Sequence, residues 1–140
     1  MADEYITLAH GAGGKMSQEL MQEVILPEFS NPLLDELHDG AQVKMSGNVA
    51  FTTDCYVVRP LFFAGGNIGK LAICGTVNDL SMTGAVPRYI SVGMILEEGF
   101  PIADLRKIAH TMHEMAAKAG VAIVTGDTTV SYTHLTLPTT

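Results

Sequence analysis

Tryptophan is absent from this 140-residue chain, cysteine occurs only at Cys55 and Cys74, and basic residues are few. Two thiols cannot build a disulfide framework or a four-thiolate zinc site. Both are expected to be small, buried, reduced side chains. Eight Lys and Arg stand against 15 Asp and Glu, a net charge of −7. So acidic a surface repels phosphate backbones and anionic membranes, which disfavours nucleic-acid binding by bulk charge but leaves room for a short-range phosphate site. Apolar runs such as Ile90 to Leu96 fall far short of the ~20 residues that span a bilayer. The opening Met1-Ala2-Asp3-Glu4 is acidic and is no secretory signal. A soluble, cytoplasmic protein is the expectation. Charged residues make up only 16% while hydrophobic residues reach 47%, a globular composition. A chain of this length buries about two-thirds of its unfolded surface.

What is present is ordered. Tyr5 to Ala9 reads as a short strand leading into the glycine loop Gly11-Ala12-Gly13-Gly14. Leu20, Met21, Val24 and Ile25 recur at helical spacing from Ser17 to Leu26, with Ser17 as N-cap and Pro27 as stop. Ala41 to Lys44, Val49 to Thr53 and Cys55 to Val58 read as strands. Gly65-Gly66-Asn67 opens a helix over Ile68 to Met82, apolar enough to expect burial on most sides. Tyr89 to Glu97 is the clearest strand. Pro101 then precedes Ile102, Leu105, Ile108, Ala109, Met112, Met115, Ala116 and Ala119 at three- and four-residue steps, closed by Gly120; this is an amphipathic helix. Val121 to Thr125 is a final core strand. Residues 129–140 contain no Asp, Glu, Lys or Arg, and Pro138 discourages a central strand there.

Three aspartates border core sequence: Asp54, Asp79 and Asp127. Carboxylates so placed need partners. If they converge, repulsion at ~4 Å costs about 1 kcal/mol even in water and more when partly buried. A divalent cation with phosphates would relieve it. Each could equally cap a helix or turn by itself. Gly11 to Lys15 lies between a strand and a helix start, where backbone N–H groups can surround a phosphate. It matches neither the Walker loop, since Ala9 and Met16 stand at defining positions, nor the dinucleotide fingerprint; a plain turn is as good a reading. His110 and His113 with Glu114 lack the spacing of a zinc helix and read as a solvated face.

Read in order, His10-Gly11-Ala12-Gly13-Gly14-Lys15, Thr53-Asp54, Pro60 to Phe63, Gly65 to Lys70, Gly75 to Leu80, Leu96 to Phe100 and Gly126-Asp127-Thr128 closely resemble the N-terminal domain of the hydrogenase maturation factor HypE. That family sits in the aminoimidazole-ribonucleotide-synthetase-like (PurM-like) superfamily, and the resemblance covers about residues 5–128. It implies an α+β fold of two layers, a mainly antiparallel sheet with helices on one face. It implies ATP contacts at Gly11, Gly13, Gly14, Lys15, Asn78, Asp79, Asp127 and Thr128, and Mg2+ at Asp54, Asp79 and Asp127, with no catalytic residue assigned in this chain. The implied activity is ATP-dependent dehydration of an S-carbamoyl group, held on a C-terminal cysteine, to thiocyanate, which supplies cyanide to the [NiFe]-hydrogenase iron. The implied partners are a second copy of the chain, the carbamoyl donor HypF and the HypC–HypD complex. Two other readings stand beside this one: a related phosphotransferase, and a dimerisation or docking module. Residues 1–128 are expected to be the domain, truncated before the family's second domain and cysteine. Residues 129–140, where Thr129 stands for the family's usual Lys, are expected to be a non-native tail.

Overall fold

A computed structural model describes residues 2–131. After a 3-10 turn over Leu8–Gly11, one helical rod covers α1 (Lys15–Leu20), a π-helical turn (Met21–Ile25) and α2 (Leu26–Phe29). Its N-cap is Gly14, not Ser17, and Pro27 lies inside it instead of stopping it. A proline ring crowds the carbonyl four residues back, here that of Glu23. The wider π turn makes room, and the Glu23 carbonyl accepts a hydrogen bond from Arg106 Nη1 at 2.8 Å.

Strands β1 (Phe62–Phe63) and β2 (Gly66–Asn67) form a small antiparallel hairpin. Asn67 then caps α3 (Ile68–Ser81), its Oδ1 accepting from the Gly69 N–H at 2.8 Å. Its Nδ2 donates to Thr111 Oγ1 at 2.9 Å, which ties α3 to α4 (Ile102–Ala119). The helices touch most closely at Gly69, where a Cβ would lie 2.8 Å from the Ile108 carbonyl. Gly120, at φ 71, closes α4 in the left-handed conformation expected of it.

The main sheet departs from expectation. β3 (Tyr89–Glu97) and β4 (Ala122–Ser131) run parallel, not antiparallel. The reason is the connection: α4 is a crossover that returns the chain to the same end of the sheet, as a parallel pair requires. Their inner faces, Ile90, Val92, Met94, Leu96, Ile123 and Val130, pack with Leu105, Ala109 and Met112 of α4 and with Leu20 and Val24 into one core. Ile6 joins this core, its N–H donating to the Phe100 carbonyl at 2.8 Å; Tyr5 makes a single bridge to Pro101 in place of the expected strand.

Three other expectations change. The strands expected within 41–58 do not form: that stretch has no regular secondary structure and joins no sheet among the described residues. Phe51 and Val57 stand 91% and 94% exposed. Helix α3 buries only Gly69 and Ile73, because α4 covers one side of it. Both cysteines are exposed free thiols. Among the described residues no helix is long and apolar enough to cross a membrane. The tail expected over 129–140 lies largely outside the described residues; β4 itself runs to Ser131.

Candidate functional site

The candidate residues fall into two groups. The first gathers on α3. The segment 52–58 packs beside this helix with Thr52, Tyr56 and Val58 half-buried and Thr53, Asp54, Cys55 and Val57 exposed. The Tyr56 ring rests on Gly75, so closely that a Cβ there would overlap the phenol oxygen. Burial pushes the phenol above its ordinary pKa; a hydrogen bond from Thr76 opposes this, while a hydrogen bond to Asp54 and the charges of Asp54 and Asp79 add to it. Asp54 Oδ1 also accepts from the Cys55 N–H at 2.8 Å. Asp54, Asn78 and Asp79 are exposed. A cleft of about 130 Å3 opens beside Asp54, bounded also by Thr53, Thr76, Leu80, Tyr89 and Ser91 among others.

The second group lies on β4. Register passes from Ile90 opposite Ile123 to Ser91 opposite Thr125, leaving Val124 as a bulge. Ile123 and Asp127 would share a face in unbroken alternation. The extra residue buries both Ile123 and Val124 and turns Asp127 to the open face, opposite Gly93, while Thr128 pairs with Met94 on the helix side. Bulges commonly re-aim side chains in this way. Sequence reading missed it; the adjacent apolar pair Ile123-Val124 before Gly126 was the available signal. Gly126 is needed because a Cβ would strike the Val92 carbonyl.

The glycine loop abuts the same strand. A Cβ at Gly11 would lie 2.9 Å from Val130 N. Gly13, at φ 80, donates its N–H to Ser17 Oγ at 2.9 Å, and Ser17 donates to the His10 carbonyl at 2.7 Å. Ser17 is therefore the clasp of the loop. His10 is 1% exposed, and its Nδ1 accepts from the Thr7 N–H at 2.8 Å. That bond leaves the neutral ring's proton on Nε2, which lies 3.4 Å from Asp3 Oδ2 without forming a hydrogen bond. Lys15 stays exposed, with Nζ 3.7 Å from Glu19.

Among the described residues no three His, Cys, Asp or Glu side chains come close enough to hold a metal ion. The charges of Asp54 and Asp79 both act on Tyr56; Asp127 stands on β4. Magnesium typically takes one or two carboxylates and completes its shell with phosphates and water, so two carboxylates suffice in number and chemistry for that ion. His110 and His113 lie exposed on α4. His110 Nδ1 is 3.1 Å from Glu28 and Nε2 is 3.0 Å from Glu114. The Glu28 hydrogen bond and charge, helped by Glu114, raise its pKa against a small desolvation cost.

Comparison with known proteins now decides the family. The model of the AIR synthase related protein, N-terminal domain, matches residues 37–140. The chain belongs to that family. Within it, the chain is 51% identical over 131 residues to carbamoyl dehydratase HypE of Escherichia coli K12, covering 89% of this chain and 39% of the relative. It is 50% identical over 133 residues to the HypE of Rhodobacter capsulatus, covering 93% and 39%. The chain thus spans under half the length of these relatives. The crystal structure of hydrogenase maturation protein HypE in complex with ATP superposes with a TM-score of 0.87 at 49% identity, over 89% of this chain and 37% of that one. A HypE–HypF complex superposes at 0.60 and 51%, over 80% and 36%. The PurM-like family expected from the motifs is borne out by these matches.

Proposed function

We propose that this chain is the ATP-binding N-terminal half of a carbamoyl dehydratase that serves [NiFe]-hydrogenase maturation. The observation that carries the reading is its likeness to HypE in complex with ATP over 89% of this chain. Asp54 and Asp79 would hold Mg2+, and Asp127, which does not join them among the described residues, would contact the nucleotide. The loop Gly11 to Lys15, together with Asn78 and Thr128, would contact the nucleotide. The cleft beside Asp54, about 130 Å3, is smaller than the ~300–1,000 Å3 of ordinary ligand pockets.

Bound Mg-ATP would supply the phosphoryl group that turns a carbamoyl oxygen into a good leaving group. The work left to this chain is positioning and charge. Asp54 and Asp79 orient the cation. Backbone N–H groups at the start of α1 offer partial positive charge to phosphate oxygens. The carbamoyl group itself would ride on the C-terminal cysteine of the full-length protein. HypF, HypC–HypD and a second copy of the chain are the proposed partners; the open apolar side chains Phe51 and Val57 support self-association. The same two side chains favour a second reading, a docking module without nucleotide affinity.

Calorimetric titration of the 140-residue chain with Mg-ATP, alongside light scattering, separates the readings. Saturable binding by a dimer is the expected result. A dimer that binds no nucleotide would instead support the docking module.

A further inference from the structure

Residues Gly11 to Lys15 are all exposed, and a loop so rich in glycine has many shapes to lose when a ligand orders it. Few contacts give it order beforehand. His10, 1% exposed, fixes the entrance, its Nδ1 accepting from the Thr7 N–H at 2.8 Å. Gly11 lies against β4, where a Cβ would come 2.9 Å from Val130 N. The rest is held by one side chain from α1, the half-buried Ser17. A hydroxyl has one proton to give and lone pairs that accept. Ser17 Oγ accepts from the Gly13 N–H at 2.9 Å and donates to the His10 carbonyl at 2.7 Å. The Ala9 carbonyl is a more distant acceptor at 3.3 Å, and it already receives the Ala12 N–H. A single oxygen thus ties the buried entrance of the loop to its turn at Gly13, where φ is 80.

The Gly13 N–H is therefore spent inside the protein, and Gly13 serves the loop by its shape. Ordering of a loop in its bound form before the ligand arrives raises affinity, and here the hydroxyl of Ser17 does that ordering. We propose that Ser17 is a positioning residue for the nucleotide: bonded to the Gly13 N–H and the His10 carbonyl, it holds Gly11 to Lys15 in the shape that receives phosphate. The inference rests on the reading of that loop as a nucleotide contact. Ser17 itself needs no contact with ligand.

Two measurements on the 140-residue chain test it. In calorimetry, Ser17→Ala should weaken Mg-ATP binding about tenfold, the worth of about one hydrogen bond, while circular dichroism stays that of wild type. Ser17→Thr keeps the hydroxyl and should bind as wild type does. Equal affinity in wild type and Ser17→Ala overturns the inference and leaves the proposed function standing. A Ser17→Thr protein as weak as Ser17→Ala overturns it too. Amide hydrogen exchange, followed by NMR without nucleotide, supplies the second readout. The Gly13 amide should be protected in wild type and exchange about tenfold faster in Ser17→Ala, with the amides of α4 unchanged. If wild type binds no Mg-ATP, the proposed function fails, but that exchange pattern would still support Ser17 as what holds the loop. A Gly13 amide that exchanges equally fast in both proteins overturns it. Should Ser17→Ala fail to fold, Ser17→Cys, close in size but a weak donor and acceptor, takes its place in both measurements.

Discussion

Helices α3 and α4 lie against one another, yet they use their surfaces in opposite ways. α4 buries Ile102, Leu105, Ile108, Ala109, Met112 and Ala116 and turns its charges outward. α3 buries only Gly69 and Ile73. Its remaining surface is given to Tyr56 at Gly75 and to the polar groups Thr76, Asn78 and Asp79. Apolar composition alone does not separate the two roles. α4 supports the fold by filling a stripe, whereas α3 offers small residues at close approaches and keeps Asn78 and Asp79 exposed.

The sharpest way to break this contrast is to delete volume from each helix. Leu105→Ala, at a site 1% exposed, should cost about 2–5 kcal/mol. Leu71→Ala on the open side of α3 should cost under about 1 kcal/mol. Urea unfolding of the two variants measures both, and equal losses would erase the distinction. Next in size is the seam between the helices. Gly69→Ala would press a methyl group within 2.9 Å of Met112 Cγ and still closer to the Ile108 carbonyl. Overpacking of that kind costs about 1–3 kcal/mol, and better helix propensity returns at most about 1 kcal/mol. The expected outcome is a lower urea midpoint with the m-value unchanged.

The smallest effect belongs to the outer face of α4. His110 has its pKa raised by Glu28 and Glu114. Its contribution to stability is therefore fully present below the unfolded value, 6.5, and is lost as pH rises through the folded value. Thermal melts at about pH 6 and about pH 8 should show a larger drop in wild type than in Glu28→Gln. The same drop in both would remove His110 from the account.

Much of this was legible beforehand, for identifiable reasons. α4 declares itself through apolar residues three and four apart and a terminal glycine. Asn67 before α3 is a side chain suited to capping, and it caps. The motif series led to the right family. What stayed hidden depends on distant parts of the chain. The pattern of β3, amphipathic α4 and β4 is that of a crossover unit, but the expected antiparallel sheet obscured it. The bulge at Val124 exists only relative to β3. The π turn needs Arg106 to satisfy the carbonyl that Pro27 displaces. The strands expected at Val49 to Thr53 and Cys55 to Val58 do not form among the described residues; β-prone side chains carry no information on whether a neighbouring strand is there to pair with. Asp54, Asp79 and Asp127 were singled out as three carboxylates that could converge; among the described residues the three do not come together, and the seat of Tyr56 on Gly75 was overlooked because nothing local links the two.

The central claim is that the open face of α3 serves phosphate chemistry, and Asp79 tests it most directly. Phosphate release from Mg-ATP should be measured in an intact enzyme carrying this domain, with and without Asp79→Asn. The account predicts a loss of about a hundredfold or more, the size expected when charge stabilisation is removed from a transition state, with an unchanged melting temperature. Undiminished hydrolysis by a folded Asp79→Asn enzyme would contradict it.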